Sequence, residues 1–136
     1  MRKVNNYKNV AVDITNSLIK LENGDKQVIC NKIVYCDNFF KKGTGLILRT
    51  KKSIKNTAWI FTFNSPRRIS LTMFFVFFQI DVLFLNSRKE IVEMTSLNPW
   101  SNYTSRKKAN YAIELESGTI RNFDLRVGDK LFFIDI

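Results

Sequence analysis

The sequence predicts a mainly β fold with minor helix: a compact small β-barrel or sandwich of about eight short strands with one or two short helices. Two observations predict it. Apolar runs of strand length, rich in β-branched and aromatic residues, follow one another with turn chemistry between them. Apolar residues make up 45% and charged residues 25% of the 136 positions, as in globular domains, which implies a real core and argues against disorder.

The elements follow in order. Residues 10–14 and 17–21 read as extended; Glu22-Asn23-Gly24-Asp25 carries the Asn-Gly pair of a tight hairpin, and residues 27–36 form the returning strand. Asp37 caps one helical turn that Gly43 and Gly45 end. Residues 58–63 place Trp59, Phe61 and Phe63 on one strand face, and Asn64-Ser65-Pro66 supplies a turn. Residues 69–75 and 80–85 are apolar on both faces, as central strands are, so the Phe-rich block at 73–78 is expected to be the most buried part of the protein. Asn86-Ser87-Arg88-Lys89 turns the chain into a strand at 90–94. A polar loop with Asn98-Pro99-Trp100 precedes a strand at 111–115, a short helix within 118–125, and a closing strand at 131–134. No repeat, linker or low-complexity tract divides the chain, so residues 1–136 are expected as a single domain, with 1–36 an N-terminal β-hairpin extension packed on the rest.

The absence of histidine removes imidazole bases, most familiar hydrolase mechanisms and the zinc patterns that need a His ligand. Ser65, Ser70, Ser96 and Ser105 lack a G-x-S-x-G setting, and neither Gly43-Thr44-Gly45 nor Val127-Gly128-Asp129 has phosphate-loop spacing. Cys30 and Cys36, read on one extended strand, lie ~20 Å apart and stay free thiols, small buried hydrophobes that fit a reducing, cytoplasmic compartment. No metal and no cofactor is expected. Gln79 and Asp81 interrupt the longest apolar stretch, so no membrane span is expected, and the residues after Met1-Arg2-Lys3 include no long apolar run, so no secretory signal is expected.

Net charge is +10, and its placement is uneven. Residues 38–80 hold eight bases, including Arg49, Arg67 and Arg68, and no acid. Such a run attracts a small anionic ligand or binds nucleic acid weakly, unless it is the compositional drift that fourteen Lys and fourteen Asn also suggest. Trp100 and Tyr103, followed by Arg106-Lys107-Lys108, interleave rings with charge in the manner of a base-stacking surface. Asp81, between Ile80 and Val82, requires a donor if buried: backbone N–H groups, or Arg49, Arg67 or Arg68.

Gly45-Leu46-Ile47-Leu48-Arg49, the block from Met73 to Leu85, Glu114-Leu115 with Gly118, and Val127-Gly128-Asp129 appear in an order that resembles the domain of unknown function 192 family (uncharacterised protein family 0127), archaeal members above all, over residues 37–134. The resemblance implies a small, mostly β domain with no established activity. It also marks Thr72, where similar sequences carry His or Trp, and Gln79, where they carry Pro. The leading expectation is a non-catalytic ligand- or partner-binding module. The alternatives are a nucleic-acid-binding small barrel using a basic face at residues 41–68 and a carboxylate-dependent enzyme using Asp81, with Glu114 as a second acid.

Overall fold

The computed structural model describes residues 16–36, 51–74 and 76–134; the expected strand at 10–14, the helical turn after Asp37, and Arg49 lie outside them. β1 (Leu18–Glu22) and β2 (Asp25–Cys30) form the hairpin that the Asn-Gly pair predicts. Asn23 and Gly24 have φ of 53° and 81°, the left-handed pair that lets a two-residue turn follow the strand twist. The returning segment is two strands rather than one. The chain breaks at Asn31, whose N–H donates to the Asn56 side chain, while Ile33 N–H donates to Asn16 Oδ1 at 3.1 Å. These amides replace ladder partners and let β3 (Lys32–Cys36) leave the hairpin to run parallel to β4 (Thr57–Arg67).

After a 3-10 turn at Lys51–Ile54 comes β4, which does not turn at Asn64-Ser65-Pro66 but continues with a register shift between Thr62 and Arg67. Pro66 falls within that shift, where its missing N–H breaks no ladder bond. Next are β5 (Ser70–Thr72), β6 (Ile80–Leu85), β7 (Ile91–Leu97), β8 (Asn102–Thr104), β9 (Ala109–Glu116), the one-turn helix α1 (Thr119–Asn122) and β10 (Leu131–Phe132). The main sheet has the order β3-β4-β9-β6-β7; β10-β1-β2 forms a second sheet, and β5-β8 a two-stranded ribbon. Among the described residues no sheet closes on itself, so the β-rich fold is layered rather than a closed barrel.

β6 is buried at all six positions, as its apolar run predicts, because both faces of the main sheet are covered. Ile60, Ile113 and Leu83 stand in register on one face, beneath Leu18, Ile29 and Leu131 of the hairpin sheet and Leu125 after α1. Phe61, Ala112 and Phe84 stand in register on the other, beneath Ile69 and Leu71 of the ribbon with Met73 and Val76. The Phe-rich block corrects its expectation: β5 stops at Thr72, and among the described residues of the following loop Met73 and Val76 enter the core and Phe78 packs half-buried against it, while Phe74 and Phe77 face solvent. Cys30 and Cys36 are buried free thiols on different sheets, and burial pushes the Cys30 thiol up to about 12, which leaves it unreactive. No helix among the described residues is long and apolar enough to cross a membrane.

Candidate functional site

Asp81 sits on β6 with its side chain toward α1. Its Oδ2 accepts the N–H groups of Gly118 at 3.1 Å and Ile120 at 2.9 Å, and its Oδ1 accepts the Ser96 hydroxyl at 2.7 Å. Gly118, the N-cap of α1, has no side chain to cap with, and its φ of 94° suits glycine; Asp81 supplies the missing acceptor from another strand. The carboxylate is thus held by backbone N–H groups and a hydroxyl. Asp81→Asn is expected to cost ~1–2 kcal/mol in denaturant unfolding, since the amide keeps an acceptor for α1 but loses charge assistance.

The second acid does not join it. Asp81 pairs with Leu115 and Val82 with Glu114, so the two carboxylates occupy successive register positions and opposite faces of the sheet. Glu114 lies buried between Trp59 of β4 and Val82 of β6, and burial pushes its carboxyl up to about 8. Its Oε2 has no hydrogen-bond partner among the described residues. No group of three or more His, Cys, Asp or Glu side chains there is arranged to hold a metal ion.

Trp100 belongs to a different construction. The loop after β5 and the loop before β8 are joined by Met73 N–H to Ser101 O at 2.6 Å and Trp100 N–H to Met73 O at 2.9 Å. Between these bonds Trp100 has φ of 61°, a strained conformation for a bulky residue. Its ring meets Phe77 edge-on at 5.5 Å and Phe74 at 6.4 Å. Phe74, Phe77 and Trp100 are 48%, 67% and 47% exposed, above the buried Met73 and Val76. Uncharged polar groups lie beside these rings in sequence: Gln79 donates to Asn98 and accepts from Ser117, and Ser101 donates to Asn98 O. Thr72 shapes the loop by accepting Phe74 N–H through its hydroxyl.

The remaining sequence candidates lie elsewhere. Tyr103 stacks on Phe84 at 5.9 Å and donates its hydroxyl to Glu93, whose other oxygen takes the N–H groups of Arg106 and Lys107 at 2.8 Å each. Arg68 donates to Ser105 O at 2.9 Å, and the Arg67 guanidinium lies 5.6 Å from the Phe63 ring. These cations stand at the Ser70–Thr104 end of the ribbon, whereas the aromatic cluster stands at the Thr72–Asn102 end. Lys51, Lys52 and Lys55 precede β4, ~30 Å along it from Arg67, so the described bases do not form one continuous face. From sequence, Phe74 and Phe77 read as core with the rest of their block, whereas both are exposed. The available signal was spacing: Met73, Val76 and Ile80 repeat every three to four residues, a pattern that a strand of period two does not make.

The DUF192 family model, described as Uncharacterized ACR, matches residues 19–133, and so includes the hairpin that begins at β1. A UPF0127 protein of the archaeon Pyrococcus furiosus is 35% identical over 102 residues, 74% of this chain and 84% of that protein. Among solved structures, a "putative transcription regulator" from Sinorhizobium meliloti 1021 superimposes with a TM-score of 0.74 at 21% identity, covering 84% of this chain and 89% of the other. A protein of unknown function from Novosphingobium aromaticivorans gives 0.73 at 14% identity, covering 86% and 84%. At these identities the two structures share the fold.

Proposed function

For a chain that belongs to the DUF192 family, we propose the role of a non-catalytic binding module that takes an apolar segment of a protein partner on Phe74, Phe77 and Trp100. The observation that carries this reading is three exposed rings packed on one another and tied through a strained Trp100 backbone. Exposed aromatic clusters are costly in water and mark interaction sites, and tryptophan is enriched among the anchors of such surfaces. The amides and hydroxyls beside the rings suit a peptide backbone. The reading takes the chain as one domain, placed in the cytoplasm, where buried free thiols persist.

Two other readings have less support. Nucleic-acid binding through residues 41–68 needs a continuous basic face, and the described bases lie at opposite ends of β4. Carboxylate catalysis by Asp81 needs a free acid, and its three hydrogen bonds among the described residues serve α1 or β7.

Selection of displayed peptides on the immobilised protein tests the proposal. Peptides with apolar anchors should be enriched, and Phe77→Ser combined with Trp100→Ala should weaken them at least ~10-fold while stability changes little. No enrichment, peptides indifferent to both substitutions, or tight oligonucleotide binding that persists at high salt would overturn it.

A further inference from the structure

A second exposed apolar region lies beyond the opposite face of the main sheet, on the outer side of the hairpin sheet. There a groove of about 660 Å3 opens between β1, β10 and the β6–β7 turn. Ile19 and Phe132 pair across its floor, Leu21 and Ile134 extend it, and Leu21, Phe132 and Ile134 are all exposed. Among the described residues, every charged one on its wall is a cation. Lys26 stands directly across from Leu21 in the β1–β2 register. Lys130 precedes Leu131, which pairs with Lys20, and therefore stands level with Leu21 on the other side.

The cations differ in their commitments. Arg88 bridges Glu90 at 3.1 Å, and Lys89 donates to Phe133 O at 2.6 Å while lying over the Phe133 ring. Among the described residues neither Lys26 nor Lys130 has an ion-pair partner. Lys130 is near enough to Glu90 to help lower its carboxyl, but Asn86 and Arg88 already hold that group. The groove therefore has two uncommitted cations at the level of Leu21 and an apolar floor that runs to Phe132 and Ile134, ~13 Å away along an extended chain, where the committed Lys89 lies at Phe133.

We propose that this groove binds a free medium-chain fatty acid, its carboxylate between Lys26 and Lys130 and its tail along Ile19, Phe132 and Ile134. The volume falls in the range of small-molecule sites, and two cations without ion-pair partners stand at one end of an apolar floor, as head and tail stand along such a molecule. An extended peptide fits less well. Across the floor the β1 and β10 backbones pair with each other at Ile19 and Phe132, so side chains rather than ladder groups face the ligand. The proposal is independent of the aromatic surface, which lies beyond the other face of the main sheet.

Titration of the full chain with decanoate below its micelle concentration, followed by calorimetry, tests this. One saturable site is expected, with decanol bound at least ~10-fold more weakly because it lacks the anion. Lys26→Glu with Lys130→Glu should weaken decanoate at least ~10-fold and leave decanol unchanged. Ile134→Asp, or Phe132→Ser should that variant misfold, should weaken both ligands. Phe77→Ser should change neither. Absence of saturable decanoate binding, binding indifferent to the groove substitutions, or displacement by acidic peptides that bind more tightly would overturn the proposal.

Discussion

Replacing Phe84 by alanine is expected to lower the unfolding free energy by ~3–5 kcal/mol and the melting temperature by on the order of 10–20 °C. Phe84 is fully buried on β6, in register with Ala112 of β9, and it stacks on Tyr103, which Glu93 fixes in turn. Truncation removes the ring from a layer closed on one side by the sheet and on the other by the ribbon. A site enclosed in that way cannot collapse, so the cavity adds to the lost transfer energy. The comparison that gives the number meaning is Phe77→Ala, seven positions earlier in the same apolar block. Phe77 is 67% exposed, and its truncation should change stability by no more than ~0.5 kcal/mol. Urea unfolding of both variants checks the pair; equal losses would mean that the loop from Met73 onward packs inward and would remove the proposed binding surface.

Glu114 should make the protein less stable as pH rises, the reverse of the usual carboxylate effect. Burial lifts its carboxyl from the ordinary 4.5 to about 8, so between those values the folded state keeps a proton that the unfolded chain has released. The folded state binds more protons throughout that window, and stability therefore falls with rising pH. The full contribution, roughly 3–5 kcal/mol, is reached once both states are ionised, above about 8. Below 4.5 both states are protonated and the contribution vanishes. Glu114→Gln keeps the shape without the charge, so its urea midpoint should flatten across the window and exceed that of the unaltered protein at the alkaline end. A wild-type midpoint that rises from pH 5 to 8, with Glu114→Gln tracking it, would show that the carboxylate is paired rather than stranded.

Much of the strand order is legible in the sequence because local chemistry and burial agree there. Asn23-Gly24 makes its hairpin, the β6 run is buried on both faces, and Asn86 to Lys89 turns the chain as its polarity predicts. The failures occur where a distant contact decides. Nothing local at Asn31 shows that β3 will pair in parallel with β4, since the partner lies some 25 positions away and the break is held by Asn56. Residues 73–78 have the composition of a strand, yet Met73 is bonded to Ser101 and Trp100 and so becomes the corner of a loop. Asp81 was legible as a buried acid in need of donors; that the donors are the first N–H groups of α1 follows only from the β6–β9 register, which brings Gly118 to it. Glu114 was legible as an acid in a strand, but not as one facing away from Asp81, because that depends on pairing rather than on spacing.

The join between β1 and β10 bears on how the chain reaches this structure. β1 can pair with β2 as soon as residue 30 has been synthesised, but its other edge waits for Leu131 and Phe132, roughly a hundred residues later. Closing so long a loop costs about 4 kcal/mol of chain entropy, a cost that the two register pairs of β10 meet only when the main sheet already holds both ends near each other. The hairpin sheet is thus completed late, and until then β1 presents an open edge to any other nascent chain. The parallel β3–β4 pair is also non-local, its partners some 25 positions apart. Synthesis order and assembly order therefore run in opposite directions for this hairpin, which is made early and finished last.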